Sequence, residues 1–126
     1  HNLGLREMFF APAALLALGD TLREAKRYED AIMEYKILVI KYRKTAEASL
    51  GSYRTALCYE GLQDPDTAIA VLKSVLRRYP KTGAASDAHT RLETRYKIQD
   101  TEVSDDVDFF ENIDKDYLED PDKLRR

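Results

Sequence analysis

The sequence predicts an all-α fold, a short α-solenoid of two helical hairpins followed by a capping helix and an acidic C-terminal helix. Apolar residues recur with a period of 3.6 through the first hundred residues, and strand patterns are absent there. The stretch YEDAIMEYKILVIKYRKT at 28–45 aligns with PDTAIAVLKSVLRRYPKT at 65–82, 37 positions later. Such self-similarity is typical of helical-repeat arrays, in which each hairpin buries its apolar face against the next.

Local signals place five helices on the first hundred residues. Asp64-Pro65 predicts a helix start, with Asp as the cap and Pro at the first helical position. Tyr79-Pro80 predicts a helix end, because the residue before proline is disfavoured in helical torsions. We expect the helices near residues 11–25, 28–43, 46–62, 65–79 and 84–98. The last one has no partner helix after it, so we interpret it as a capping helix.

Each predicted helix carries an apolar stripe, and the first runs through Leu15, Leu18, Leu22 and Ala25. In the capping helix, four charged residues fit a solvated outer face. These are Arg91, Glu93, Arg95 and Lys97.

Charge separates an acidic tail from the rest of the chain. We assign residues 1–10 to an N-terminal arm, 11–99 to the repeat domain and 100–126 to an acidic tail. Residues 1–99 carry 16 basic and 12 acidic side chains, whereas residues 100–126 carry 4 and 11. Nucleic acid is therefore not a predicted partner, because its binding needs a dense basic face.

Neither a membrane span nor a disulfide is expected. No apolar run approaches the roughly 18 residues that a spanning helix needs, so we predict no membrane insertion. Cys58 is the single cysteine, and its apolar neighbours predict a small buried side chain. The sequence begins at His1 rather than Met, which we interpret as a processed form or a fragment.

The usual signatures of catalysis are missing from the sequence. His1 and His89 have no metal-ligand spacing to a Cys, Asp or Glu cluster, and no phosphate-binding glycine loop or nucleophile elbow occurs. We therefore expect no enzyme, no catalytic or metal-binding residues and no cofactor.

The repeated stretch resembles a tetratricopeptide repeat (TPR). The resemblance covers roughly residues 11–98 and departs from the family pattern at Arg43, where proline is usual. It also departs at Leu15 and Ser52, where a bulky aromatic residue is frequent, so we expect the first pair to pack less tightly. The first matching set is Leu18-Gly19, Tyr28, Ala31, Tyr35 and Leu38, and the second is Ala56, Tyr59, Ala68, Leu72, Val75 and Tyr79-Pro80.

The two endings, Tyr42-Arg43-Lys44-Thr45 and Tyr79-Pro80-Lys81-Thr82, resemble a bacterial envelope subgroup of this family. That subgroup includes the outer-membrane assembly lipoprotein and the periplasmic Tol-Pal coordinator. This resemblance implies a periplasmic or extracellular location, with a cytoplasmic one as the alternative.

In this family the first helix of each hairpin lines a concave groove that binds peptides. Carried over to this sequence, the groove would use nine residues: Leu16, Asp20, Arg23, Tyr53, Leu57, Glu60, Thr90, Thr94 and Lys97. Leu16 and Asp20 stand where some relatives clamp a C-terminal carboxylate, so chaperone-tail binding is disfavoured. The alternative interpretation is that these residues only shape the superhelix.

The acidic tail contains apolar residues at helical spacing, which predict a contact surface. These are Val107, Phe110, Ile113, Tyr117 and Leu118. We expect a helix capped by Ser104 and ended by Asp120-Pro121. Three uses stay open: folding back to seal the end of the array, docking on a partner, or disorder.

Together these features predict a non-catalytic protein–protein interaction module or scaffold. It would bind a protein partner through the groove, the tail helix or both, as an accessory subunit of a large or polymeric envelope or extracellular assembly. The alternatives are a structural subunit that self-associates through its repeat ends and a cytosolic scaffold.

Overall fold

The computed structural model describes residues 11–99 and 108–111, and within these ranges it contains five helices and no strand. The predicted all-α solenoid is confirmed. In chain order the helices are α1 (Pro12–Glu24), α2 (Tyr28–Lys41), α3 (Ala46–Gly61), α4 (Pro65–Arg78) and α5 (Gly83–Thr94).

The repeat is visible in how the helices begin. Thr45 and Thr82, 37 residues apart, cap α3 and α5, and their hydroxyl oxygens accept hydrogen bonds of 3.1 Å from the amides of Ala48 and Ala85. Asp64 caps α4 in the same way, with Pro65 at the first helical position. The predicted start at Asp64-Pro65 is thus confirmed.

The turns inside the two hairpins also match. Lys26 and Gln63, again 37 residues apart, adopt left-handed φ angles of 62° and 60°. This conformation lets the amide of Arg27 donate to the carbonyl oxygen of Leu22 across the helix end. Such a left-handed turn is a common way to satisfy the last carbonyl groups of a helix.

The capping helix is shorter than predicted. We expected it to reach residue 98, but it ends at Thr94. Lys97 adopts a φ of 60°, and the amide of Ile98 donates to the carbonyl oxygen of Leu92. The left-handed residue reverses the chain and ends the helix about one turn early.

The core forms because consecutive helices pack side by side, and α3 also packs against both α1 and α5. Buried apolar side chains come from every helix, including Leu15, Leu38, Ala56, Leu72 and Leu92. Leu18 departs from the expected stripe. It is 44% exposed, because it lies on the N-terminal side of the array, where no preceding hairpin is described.

Two glycines allow tyrosine rings to approach the helix backbone. A Cβ atom added to Gly19 would collide with the ring of Tyr35, and one added to Gly61 would collide with the ring of Tyr28. In contrast, a Cβ atom on Gly83 would meet nothing within 4 Å. Gly19 and Gly61 are therefore required by packing, whereas Gly83 is not.

The described part of the tail, residues 108–111, packs on the repeat domain. Phe110 is fully buried in the same apolar cluster as residues of α4 and α5. Residues 108–110 form a turn and Glu111 is helical, so the expected tail helix does not run unbroken from Ser104. Asp108 caps a turn here, its Oδ1 accepting a 2.8 Å hydrogen bond from the amide of Phe110. The other predicted tail residues, Val107, Ile113, Tyr117 and Leu118, lie outside the described residues.

Candidate functional site

The inner face of the solenoid is the surface formed by α1, α3 and α5. These are the first helices of successive hairpins, and they pack next to one another. Side chains on this face reach across from one hairpin to the next and form ion pairs between the helices.

At the first junction, Asp20 of α1 accepts hydrogen bonds from two helices. Its carboxylate lies 2.6 Å from Arg54 Nη1 on α3 and 2.5 Å from the hydroxyl of Tyr35 on α2. Arg23 Nε donates to that same hydroxyl at 3.2 Å. Burial and the hydrogen bond to Asp20 raise the pKa of Tyr35 well above its ordinary value.

At the second junction, Glu60 of α3 is surrounded by donors from α5 and the segment after it. Arg91 Nε and Nη2 lie 2.8 Å and 2.6 Å from its oxygens, the hydroxyl of Tyr96 lies at 2.6 Å, and Arg95 Nε lies at 3.3 Å. Burial acts to raise the pKa of Glu60. The hydrogen bonds from Arg91 and Tyr96 and the two arginine charges outweigh it and lower the pKa.

The two junctions use the same arginine position. Arg54 and Arg91 are related by the 37-residue shift, and each reaches back to a carboxylate on the preceding inner helix. The acids are not equivalent, since Asp20 corresponds to Leu57 and not to Glu60. The sequence signal that would have identified these ion pairs is an arginine that recurs at the equivalent position of two inner helices.

This finding corrects one expectation about the capping helix. Arg91 and Arg95 were placed on a solvated outer face, but both contact Glu60 on the inner face. The helical periodicity of the capping helix could not show this contact, because Glu60 lies 31 residues before Arg91 and 35 residues before Arg95.

A depression of about 250 Å³ lies on the inner face between α3 and α5. It brings together three predicted groove residues, Tyr53, Thr90 and Thr94. The other lining residues are Asp87, Arg91 and Arg95.

The remaining predicted groove residues have different surroundings. Asp20, Arg23 and Glu60 belong to the two junction networks. Leu16 and Leu57 are half-buried, and Leu16 packs against the core. Lys97 is exposed on the turn that follows α5.

A larger cavity of about 740 Å³ lies where the two repeat endings meet. Its lining includes Lys44 and Thr45 from one ending, Thr82 from the other, and Asp108 from the tail. We favour the smaller inner depression as the partner site, although its volume is lower. The larger cavity lies among turn residues, and the tail already contributes to its wall.

Other kinds of site find no support in the part of the chain that the structure describes. Residues 11–99 and 108–111 contain no group of three or more His, Cys, Asp or Glu side chains able to hold a metal ion. Within the same ranges, no helix combines the length and apolar character needed to cross a bilayer. Cys58 is buried as expected, and burial raises the pKa of its thiol to about 12, which disfavours a reactive thiolate.

Comparison with protein families identifies two repeat units in the chain. The family model of the tetratricopeptide repeat matches residues 13–45 and 51–82, which together make up more than half of the 126 residues. Comparisons with curated proteins and with solved structures give no match. Tetratricopeptide repeats generally mediate protein–protein interactions. The two matched units coincide with the hairpins α1–α2 and α3–α4, and the chain therefore belongs to the tetratricopeptide repeat family.

Proposed function

We propose that this protein is a non-catalytic interaction module that binds a protein partner at the inner depression. The observation that carries the proposal is the convergence of Tyr53, Thr90 and Thr94 with two arginines in one concave site. Tyrosine and arginine are the residue types that most often dominate binding energy at protein interfaces.

The arginines at this site are held in place before any partner arrives. Glu60 is 7% exposed and binds Arg91 through two of its nitrogens. Holding the guanidinium group in this way reduces the side-chain entropy that is lost on binding. Arg95, which is 54% exposed, keeps part of its donor surface open to a ligand. A partner segment with carbonyl or carboxylate oxygens fits these donors.

Two hairpins offer a small contact area, so a single contact would be weak. Repeated copies on a large assembly would raise the apparent affinity through multivalency. We therefore include in the proposal an accessory subunit of an envelope or extracellular assembly. The resemblance of the repeat endings to the envelope subgroup supports this location, and fractionation of cells expressing the natural gene tests it. Recovery in the cytoplasm alone would support the cytosolic alternative.

The groove proposal is tested by photo-crosslinking in native extract. A photoreactive amino acid replaces Thr90 in one preparation and Asp66, an exposed residue at the start of α4, in another. We expect one protein to crosslink from position 90 and not from position 66. With that protein purified, Tyr53→Ala is expected to weaken binding at least tenfold. Equal crosslinking from both positions, or unchanged binding by the variant, would contradict the proposal.

A second function, end-to-end self-association, is favoured by one observation. The N-terminal side of the array has a depression of about 420 Å³, and Leu18, Leu22 and Met33 form its apolar part. Exposed apolar surface of this kind is typical of association sites. Light scattering tests this function, because association would raise the mean mass with protein concentration and Leu18→Glu would abolish the rise.

A further inference from the structure

We propose that residues of α2, α3 and α4 form a second peptide-binding site, separate from the inner depression. It recognises a linear segment in which a carboxylate residue is followed by two aromatic residues. In this chain residues 108–110, Asp-Phe-Phe, occupy it as an internal ligand. The site, called the outer site below, consists of Lys36, Tyr59, Ser74 and Arg78.

The carboxylate of the segment is recognised by a buried arginine. Asp108 Oδ2 lies 3.1 Å from Nε of Arg78, whose side chain is only 3% exposed. The other carboxylate oxygen of Asp108 accepts a hydrogen bond from the amide of Phe110. This bond fixes the turn that presents the rings of Phe109 and Phe110. A buried ion pair of this kind is sensitive to the loss of either partner, so the position discriminates against neutral residues.

The backbone of the segment is recognised by a hydroxyl group. Ser74 Oγ accepts a 2.6 Å hydrogen bond from the amide of Phe109 and donates a 3.0 Å bond to the carbonyl oxygen of Ala70. Both hydrogen-bonding roles of this buried side chain are therefore used, and one of them is directed at the segment.

Each of the two rings has its own environment. Phe110 is fully buried, and the guanidinium carbon of Arg78 lies 5.4 Å from its ring centre. Phe109 packs edge-on against Tyr59, with ring centres 5.8 Å apart, and Lys36 Nζ lies 5.9 Å from its ring. Cation–π contacts and edge-on stacking both favour aromatic residues over aliphatic ones.

The serine and the arginine of the outer site occur only in the second hairpin. At the positions of the first hairpin that correspond to Ser74 and Arg78 stand Ile37 and Lys41. The side chain of Ile37 has no atom that accepts a hydrogen bond from a backbone amide. Lys41 has a single ammonium group and lacks the planar guanidinium group with which arginine binds a carboxylate. The contacts described above are all non-covalent and local, so a segment of the same chemistry on a partner protein satisfies them equally.

The internal segment must then compete with such a partner. A ligand tethered through a short linker has an effective concentration on the order of millimolar, so the outer site is blocked unless the partner binds more tightly or in several copies. The tail therefore acts as an autoinhibitory ligand for this site.

The test uses the full chain with its internal ligand weakened and a synthetic peptide as the probe. Asp108→Asn combined with Phe109→Ser removes the ion pair and the partly exposed ring, which leaves Phe110 as a weakened internal competitor that the second phenylalanine of the probe displaces. The probe has the sequence DVDFFEN, which is that of residues 106–112. A control peptide, DVNSFEN, carries the same two changes.

In NMR titrations with ¹⁵N-labelled protein, we expect DVDFFEN to shift the amide signals of Lys36, Tyr59, Ser74 and Arg78 in the double variant. The wild-type chain should need at least tenfold more peptide, and DVNSFEN should shift nothing. Adding Arg78→Gln to the double variant should abolish the response, whereas Lys41→Gln should leave it unchanged. If circular dichroism shows that the double variant is unfolded, Phe109→Ser alone serves in its place.

Absence of these shifts at millimolar peptide in a folded variant would overturn the proposal. Equal shifts with both peptides would also overturn it. Neither result bears on the inner depression, because no residue of the outer site lines it.

Discussion

Single residues in this protein are constrained mainly by close backbone packing and by turn geometry. Gly19 and Gly61 are needed because tyrosine rings lie where a Cβ atom would be. Lys26 and Gln63 adopt a left-handed conformation that most side chains disfavour. Ser52 is a further special case, since its buried Oγ has no hydrogen-bond partner among the residues that the structure describes.

Substituting Gly19 with alanine is expected to destabilise the fold by about 1–3 kcal/mol, the usual cost of overpacking a core. The new methyl group would push on the ring of Tyr35, which is fixed by its hydrogen bond to Asp20. Urea denaturation measures the free energy of unfolding. Gly83→Ala is the matched control and should not lower stability, because its Cβ atom would meet open space. Equal losses for the two variants would contradict the packing argument.

Gln63 tests the turn between α3 and α4. Gln63→Gly should be neutral or stabilise the protein by up to about 1 kcal/mol, because glycine adopts positive φ without steric cost but gains entropy when unfolded. Gln63→Val should destabilise it by about 1 kcal/mol or more, since β-branched residues are rare in this conformation. Thermal unfolding of the two variants provides the comparison. A valine variant as stable as the glycine variant would show that the turn is not strained.

At the scale of secondary-structure elements, helix starts are defined by local chemistry and helix faces by their neighbours. Thr45, Asp64 and Thr82 each accept a hydrogen bond from a backbone amide at the start of a helix. The sequence predicted the cap at Asp64, and the structure adds those at Thr45 and Thr82. The sequence did not show whether a charged residue of α5 lies on the inner or the outer face of the solenoid. That face depends on Glu60, which belongs to a different helix.

Thr82→Ala is expected to destabilise the protein by about 1 kcal/mol, because α5 loses its N-terminal cap. The hydroxyl of Thr82 also donates to the carbonyl oxygen of Tyr79, so the turn before the helix loses a bond as well. Thr82→Ser keeps both bonds and should retain most of the stability. Chemical denaturation distinguishes the variants, and an alanine variant equal to the serine variant would rule out the capping role.

At the scale of the whole molecule, stability depends on the junctions between hairpins. In repeat arrays each unit contacts only its neighbours, so these interfaces hold the array together. Here each junction on the inner face combines apolar packing with an arginine that reaches back to a carboxylate on the preceding inner helix. The junctions therefore support the inner face on which the proposed partner site is built.

The second junction should make stability dependent on pH. The pKa of Glu60 is lower in the folded protein than its ordinary value of 4.5. The contribution of ionised Glu60 to stability is therefore complete when the pH is above that ordinary value. This contribution is lost as the pH falls through the lowered pKa of the folded state. Glu60→Gln should destabilise the protein at pH 7, and the difference from wild type should shrink below pH 4.5.

Denaturation midpoints between pH 3 and pH 7 measure this effect. The control is Glu24→Gln, which changes an exposed glutamate of α1 and should alter stability little at either pH. A wild-type advantage over Glu60→Gln that stays constant across this range would contradict the assignment.

The sequence by itself determined the solenoid, its 37-residue repeat and the main breaks between its helices. These follow from period, caps and turn residues, which are properties of neighbouring positions. It also predicted the burial of Cys58 and three of the residues that meet in the inner depression.

Only the tertiary structure decided which residues became neighbours across the array. It directed Arg91 and Arg95 to Glu60, left Leu18 44% exposed, and buried Phe110 against α4 and α5. The physical reason is that the interactions of a charge or an aromatic ring depend on which groups are close in space, whatever their separation in the sequence. A periodic pattern records only the face of a helix on which the residue lies.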